Sequence, residues 1–301
     1  MVHLLDINGP AHVFYEAREY GIDLQLQYLS LNHQSEIQSS AGIYFSRLQN
    51  FRKVSSDANT LIFVPGLETH LLQDTDFIKA CQPFFEWLRQ QYQLGATLCS
   101  VCTGAFLFAQ AGLLDHKKAT THWKYFDNYC KAFPKIEFMP NRLFVEDQGI
   151  YSSAGVASGI DLSLYLLEKE FGTKLAIDVA KEIVVYFRRS EDDPQLSVFL
   201  QFRNHLDTRI HEIQDYIAKH FSEKITIQQL AQVVAMSERN LTRQFKKATG
   251  ITIGAYMDQL RLDNALHLLE QGHKVEYIAQ ACSFRSTNQL RNLLKKYGIN
   301  S

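Results

Sequence analysis

The sequence is short of what several protein classes require. Its 301 residues hold five cysteines, an odd number without a paired framework, so the reducing cytosol is expected rather than a disulfide-stapled secreted fold. There is no HExxH, no clustered Cys/His set and no glycine-rich phosphate loop, so neither a metal nor a cofactor is expected. The first residues lack the basic, then apolar, then small layout of a secretory signal. The uncharged stretch 90–114 is interrupted by Gly95, Ser100, Gly104 and Gln110, which predicts strand, turn and short helix and no membrane partner.

What is present is the composition of a folded chain, with 46% hydrophobic and 21% charged residues. The length allows one large core and one smaller one. The overall net charge of -1 hides an asymmetry: residues 207–301 carry 13 Lys+Arg against 9 Asp+Glu, a net of +4, which leaves -5 on the remainder. A mildly basic C-terminal piece beside a larger acidic one fits a two-part protein with one part facing a polyanion, although solvated surfaces also produce such differences.

Residues 1–190 alternate short apolar runs with helical patterns. Strands are expected at 24–29, 61–64, 97–101, 143–145 and 150–152, and helices at 76–92, 104–111, 123–132 and 158–171. The runs at 61–64 and 97–101 are apolar throughout, as strands covered on both faces should be. Strands alternating with helices predict an α/β domain with a mostly parallel, doubly wound sheet, whose ligands sit beyond the carboxyl ends of the strands.

One turn there is chemically suggestive. Ser100-Val101-Cys102-Thr103-Gly104 follows a buried strand and opens a helix, the layout of a nucleophile elbow with cysteine in place of serine. A thiol at a helix N-terminus is expected to favour thiolate. His122 follows another strand end, and Asp6 is expected in a turn beside the sheet. The bland alternatives are a small buried Cys102 and a hydrogen-bonded core histidine. Cys99 and Cys102 point to opposite faces of a strand, so they are not expected to pair. The acidic run Glu191-Asp192-Asp193 before Pro194 reads as a solvated loop.

From about residue 207 the pattern is wholly helical. Ile210, Ile213, Ile217 and Phe221 mark one apolar helix face. Thr226 and Gln229 form a capping box, Ser237 can cap a helix at 238–247, and Gly250 can stop it. Two short helices joined by a tight turn, the second carrying Arg239, Arg243, Lys246 and Lys247, predict a helix-turn-helix. The unit recurs: Leu230-Ala231-Gln232 is echoed by Ile278-Ala279-Gln280, Lys246-Lys247 by Lys295-Lys296, and Ser286 with Gln289 repeats the capping box. Residues 256–271 supply the connecting amphipathic helix, closed by Gly272. A plain helical bundle is the alternative.

These stretches carry a resemblance. Leu-Leu-Asp-Ile-Asn-Gly-Pro, Ser-Val-Cys-Thr-Gly-Ala-Phe, Ala-Gly-Leu-Leu, Ala-Thr-Thr-His-Trp and Ser-Ser-Ala-Gly-Val-Ala-Ser-Gly-Ile-Asp-Leu resemble, in that order, the class I glutamine-amidotransferase-like (PfpI-like) superfamily. More closely they are similar to the amino-terminal domains of GlxA-type regulators. The stretch 236–246 together with 261–265 resembles the AraC/XylS DNA-binding domain. The resemblance implies a flavodoxin-like sensor and dimerisation domain at 1–190, a connector at 191–206 and an AraC-type DNA-binding domain at 207–301. It implies a cytoplasmic homodimeric transcription regulator, not an enzyme, that binds double-stranded DNA, with RNA polymerase as a further partner. The effector would be an amino acid, a betaine-like compound or another nitrogenous metabolite. By position, Asp6, Cys102 and His122 are the ligand-pocket candidates. Arg239, Thr242 and Arg243 would face bases from the first unit, and Thr287, Asn288, Arg291 and Asn292 from the second. Lys246 and Lys295 would touch phosphates, which fix register without reading sequence.

The chain departs from that pattern in two places. The family opens with a further apolar strand before Leu4, so this sheet is expected to lack a central strand, through an internal start or a rebuilt sheet. Ser283, Leu290, Asn292 and Leu294 differ from the residues usual in the second unit, and the ending at Ser301 is shortened, so that unit is expected to anchor rather than read. The rival readings are a Cys102-dependent hydrolase or aldehyde-modifying enzyme, with His122 as base, and an interaction module that has lost DNA binding.

Overall fold

The computed structural model describes residues 1–31, 34–140, 142–185, 201–203, 205–270 and 272–296. The chain divides into two compact units, Met1–Gln195 and Leu196–Ser301. The acidic run at 191–194, most of the 191–206 connector and the chain end after 296 lie outside the described residues.

The first unit is built on four strands, β1 (Leu61–Val64), β2 (Thr97–Val101), β3 (Phe144–Asp147) and β4 (Ile150–Ser153). Their order is β1-β2-β4-β3, with β1/β2 and β2/β4 parallel and β4/β3 an antiparallel hairpin. The side-chain period of two sends Leu98 and Ile150 into a cluster with Phe85, Leu88 and Phe108, and Cys99 and Tyr151 into another with Phe144 and Leu162. β2 and β4 are buried almost throughout, but β1 is half-buried at three of its four positions. Its apolar run predicted full cover. It lies instead at the edge of this sheet, with a strand on one side only.

Helix α1 (Leu4–Glu19) was not expected, because Gly9-Pro10 reads as a turn. Gly9 is there for proximity: an added Cβ would lie 3.0 Å from Ile160 Cγ1 on the facing helix. Gly159 does the reciprocal work, since its added Cβ would lie 3.1 Å from Val101 and 3.3 Å from Pro10. The elbow helix is α2 (Gly104–Gln110), and α3 (Ala157–Phe171) packs against α1. The helix expected at 76–92 is two, Thr75–Ala80 and Gln82–Gln93, because Pro83 has no N–H and opens the second one. The expected strand at 24–29 forms a ladder only at Leu29–Ser30, paired with Gln49–Asn50. Leu24 and Leu26 still turn inward and pack near Leu61 and Phe63.

The second unit comprises α4 (Thr208–His220), α5 (Ile227–Val233), α6 (Glu238–Thr249), α7 (Ile253–Glu270), α8 (Val275–Ala281) and α9 (Thr287–Lys296). Ile210, Ile213 and Ile217 on α4 are fully buried, each worth roughly 1.5–3 kcal/mol, whereas Phe221 stays half-buried just past the helix end. Their cluster takes in Leu230, Leu241, Phe245 and Tyr256; a second takes in Leu262, Ile278, Leu290 and Leu294. Each helix pair, α5–α6 and α8–α9, therefore has its own core.

The caps of α5 and α6 form as the sequence requires, whereas the capping box expected at Ser286 and Gln289 forms only in half. Thr226 and Gln229 bond reciprocally, the Asn240 N–H donates to Ser237 Oγ at 3.3 Å, and Gly250 closes α6 at φ +80°. At α9 the Gln289 N–H donates to Ser286 Oγ, but Gln289 Oε1 accepts from the Arg285 N–H rather than from Ser286. Among the described residues no helix is long and apolar enough to cross a membrane.

Candidate functional site

Two places concentrate the predicted residues, one in each unit. In the first, β2 is followed directly by Cys102 at φ +57°, a left-handed conformation that non-glycine residues seldom hold. Its N–H donates to the Ser153 carbonyl at 3.0 Å, and its own carbonyl accepts from Thr121 Oγ1 at 3.0 Å. Two glycines make room. A Cβ on Gly104 would stand 2.2 Å from the Val64 carbonyl oxygen, and one on Gly155, itself at φ +110°, would stand 2.8 Å from the Cys102 sulfur. Thr103 Oγ1 accepts from the Leu67 N–H and donates to the Leu67 carbonyl, both at 2.9 Å.

Asp6 lies in the first turn of α1, not in a turn beside the sheet. It is 1% exposed, and its carboxylate is held at both oxygens: the Gly66 N–H donates to Oδ2 at 3.1 Å and the Val156 N–H to Oδ1 at 2.9 Å. Burial raises its pKa above the ordinary value, and the two backbone donors pull the other way.

The Cys102 thiol is buried within the field of the Asp6 carboxylate. Burial, and then the adjacent Asp6 charge, push its pKa up to about 12. The expected thiolate is thus overturned: α2 offers only seven residues of dipole, and a buried site facing a carboxylate outweighs it.

His122 is half-buried, stacks on Trp123 at 5.6 Å between ring centroids, and accepts the Lys124 N–H on Nδ1 at 3.3 Å. Burial lowers its pKa, opposed by Asp6 and reinforced by Lys124 and His3. Asp6 and Cys102 are therefore brought together, and His122 is linked to them through the field of Asp6. Sequence reasoning missed Thr103, Thr121 and Tyr129, whose hydroxyl donates to the Thr103 carbonyl at 3.4 Å. The signal available for Thr103 and Thr121 was their place next to Cys102 and His122; Tyr129 had none. Among the described residues no group of three or more His, Cys, Asp and Glu side chains is placed to hold a metal ion.

In the second unit, Arg239, Thr242, Arg243 and Lys246 recur at helical spacing on α6 and all are exposed. An Arg243 guanidinium N–H donates to Asn240 Oδ1 at 3.1 Å, which orients the fork. Thr242 donates its hydroxyl proton back to the Glu238 and Arg239 carbonyls, so it presents its methyl group and an acceptor outward. On α9, Asn288, Arg291, Asn292 and Lys295 are exposed, and Thr287 is half-buried. Asn240 was not foreseen.

Comparison with known proteins adds to this geometry. The model of the DJ-1/PfpI family matches residues 2–169, and that of a helix-turn-helix domain matches residues 230–298. The chain is 31% identical over 213 residues to the HTH-type transcriptional regulator GbdR of Pseudomonas aeruginosa, across 70% of this chain and 58% of that protein. It is 30% identical over 203 residues to the HTH-type transcriptional regulator CdhR of the same species, across 67% of this chain and 60% of the relative. The matches thus span less than two thirds of either relative. A ThiJ/PfpI family protein from Pseudomonas syringae superposes with a TM-score of 0.52 at 18% identity, over 78% of this chain and 87% of that one, a likeness of fold.

Proposed function

The chain belongs to the DJ-1/PfpI family, and from that membership, joined to a helix-turn-helix domain, we propose that it is a sequence-specific DNA-binding transcription regulator of the AraC type. Its first unit acts as a sensor and dimeriser, and its second unit reads paired half-sites as part of a cytoplasmic homodimer. The observation that carries the reading is the exposed Arg239–Thr242–Arg243–Lys246 stripe on a helix with both ends capped, inside one of two repeated helix-turn-helix units. Arg243 can bond a guanine edge with two donors, and Asn288 or Asn292 an adenine edge. Two relatives named as transcriptional regulators support it.

The pocket around Asp6, Cys102 and His122 takes the small effector, an amino acid or betaine-like metabolite, and its occupancy shifts the arrangement of the DNA-binding units. Support for a binding role over a catalytic one comes from the thiol. It is held neutral, and two backbone N–H groups at the site are already engaged by Asp6 rather than open to a developing oxyanion.

The test is a fluorescence-anisotropy titration of the full chain with DNA from its own gene neighbourhood, with scrambled competitor and salt stepped from about 50 to 200 mM. Wild type is expected to survive competitor, and Arg243→Ala to lose about 1–3 kcal/mol at specific sites. Equal affinity of the two proteins for a mapped operator would remove Arg243 from the reading face. Absence of any selected DNA fragment would overturn the regulator.

A further inference from the structure

Just ahead of α4, Phe202, Arg203 and His205 form a strap whose side chains are each seated on the helical unit. We propose that this strap is a releasable brace for the reading helix: seated, it holds α6 in its DNA-binding position, and lifted, it lowers affinity for the operator. The inference rests on the DNA-binding reading and adds to it a means of regulation.

The apolar part of the seat reaches α6 in two steps. Phe202 is buried in the cluster that holds Leu241 and Phe245, with its ring edge-on to Tyr256 of α7 at 5.9 Å between centroids. The fully buried Tyr256 in turn meets the ring of Phe245 on α6 at 5.5 Å. Phe245 is the inward side of the helix that presents Arg239, Thr242 and Arg243 outward. One ring therefore stands between the strap and the reading helix. A close-packed core has little free space to absorb a displaced ring, so withdrawing Phe202 is felt at Phe245 through Tyr256.

The polar part of the seat is divided against itself. Gln214 Nε2 donates to the Phe202 carbonyl at 2.8 Å, and both terminal nitrogens of the Arg203 guanidinium donate to Asp215, Nη2 to Oδ2 at 2.9 Å. His205 lays its ring beside that of His211, 4.4 Å between centroids. Against these bonds stand both ring nitrogens of His205, Nε2 of His211, Oε1 of Gln214 and the Tyr256 hydroxyl, all screened from solvent without a hydrogen-bond partner. A buried polar atom without a partner costs free energy that water returns once it is reached. An aromatic plug and an ion pair thus close the strap while several orphaned atoms favour opening it. Such an element has two states that a modest bias can exchange. The strap lies on the covalent path from the first unit, so an event there reaches α6 by seating or lifting it.

The experiment compares full-length wild type, Phe202→Ala, Phe202→Leu and Arg203→Ala at a temperature where circular dichroism shows each to be folded. Two quantities are read: affinity for the operator selected by wild type, at stepped salt, and the titration of the His205 imidazole by NMR, its signal assigned with His205→Gln. In the seated strap burial and then His211 lower the His205 pKa, with Arg203 adding to them and Gln214 and Asp207 opposing. Phe202→Ala should weaken operator binding about tenfold. Its salt slope should match wild type, because no phosphate contact is lost. Its His205 should titrate closer to the ordinary 6.5. Phe202→Leu, which refills the seat, should restore most of both, and Arg203→Ala should shift both in the same direction by less. Wild-type affinity in a Phe202→Ala protein whose His205 has moved would sink the brace, and an unmoved His205 would sink the seat. A reduced salt slope would make the loss one of direct DNA contact and equally overturn the proposal. Should Phe202→Ala not fold, Arg203→Ala decides by the same two readings. In each of these cases wild-type binding keeps the regulator, whereas failure of wild type to select any DNA removes the regulator and the brace together.

Discussion

Asp6 and Val156, 150 residues apart, are joined by the Val156 N–H donating to Asp6 Oδ1 at 2.9 Å. Val156 itself holds φ +51°, a conformation that β-branched side chains resist. The bond ties the first turn of α1 to the entry of α3 and fixes the carboxylate against Cys102. Replacing Asp6 with alanine would leave the buried Gly66 N–H without an acceptor, at about 1–3 kcal/mol, and the part-buried Val156 N–H, which water can reach, at less. Relief of carboxylate burial offsets part of that, so chemical denaturation of Asp6→Ala should show a net loss of about 1–2 kcal/mol. A loss below about 0.5 kcal/mol would mean that the two donors find other partners.

Thiol labelling separates the exposed from the buried cysteines. Cys130 is exposed on the helix Phe126–Ala132, whereas burial and Asp6 hold Cys102 at about 12. Brief iodoacetamide treatment at neutral pH, read by peptide mass spectrometry, should modify Cys130 and spare Cys102. Fast, selective modification of Cys102 would instead indicate nucleophilic chemistry.

His122 should impose a pH dependence of known sign. Its folded-state pKa lies below the ordinary 6.5, because burial disfavours the imidazolium. The neutral form is favoured on folding, so its contribution is present above pH 6.5 and is lost as pH falls through the lowered value. Relative to wild type, His122→Gln should flatten the stability curve between about pH 7 and 5. Parallel curves for the two proteins would remove His122 as the source.

Gly155 should tolerate no side chain. An alanine there would hold φ +110° and place Cβ 2.5 Å from Cys102 Cβ. Thermal melts of Gly155→Ala should show a loss of about 2–3 kcal/mol, the sum of backbone strain and overpacking. An unchanged melting temperature would mean that the elbow shifts freely.

The helical unit was legible because its signals are local. A cap lies within three residues of the N–H it satisfies, and Thr226, Ser237 and Ser286 all perform as their spacing requires. Arg239, Arg243 and Lys246 follow from helix periodicity alone. The first unit was legible at β2 and α2, where the apolar run and the small residues adjoin. It failed at α1, since Gly9-Pro10 signals a turn unless Ile160, 151 residues onward, is known to press against Gly9. It failed again at 24–29, where the inward alternation is real but ladder partners cannot be read from one segment. The charge state of Cys102 was misjudged for the same reason: Asp6 is distant in sequence and adjacent in space.

The paired bonds between Thr103 and Leu67 give the elbow a property of another kind. A single hydroxyl stands in for a neighbouring strand, receiving one proton and giving another as a ladder rung would. A rung made of backbone yields only when the strands around it part, whereas this one opens with one side-chain rotation. On its other side the loop carrying Gly66 is pinned by backbone, the His3 N–H donating to the Gly66 carbonyl at 2.9 Å and the Glu68 N–H to the Met1 carbonyl at 3.1 Å, so only its face toward the elbow is latched by a side chain. Hydrogen exchange at the Leu67 amide then reads the latch directly, open or shut.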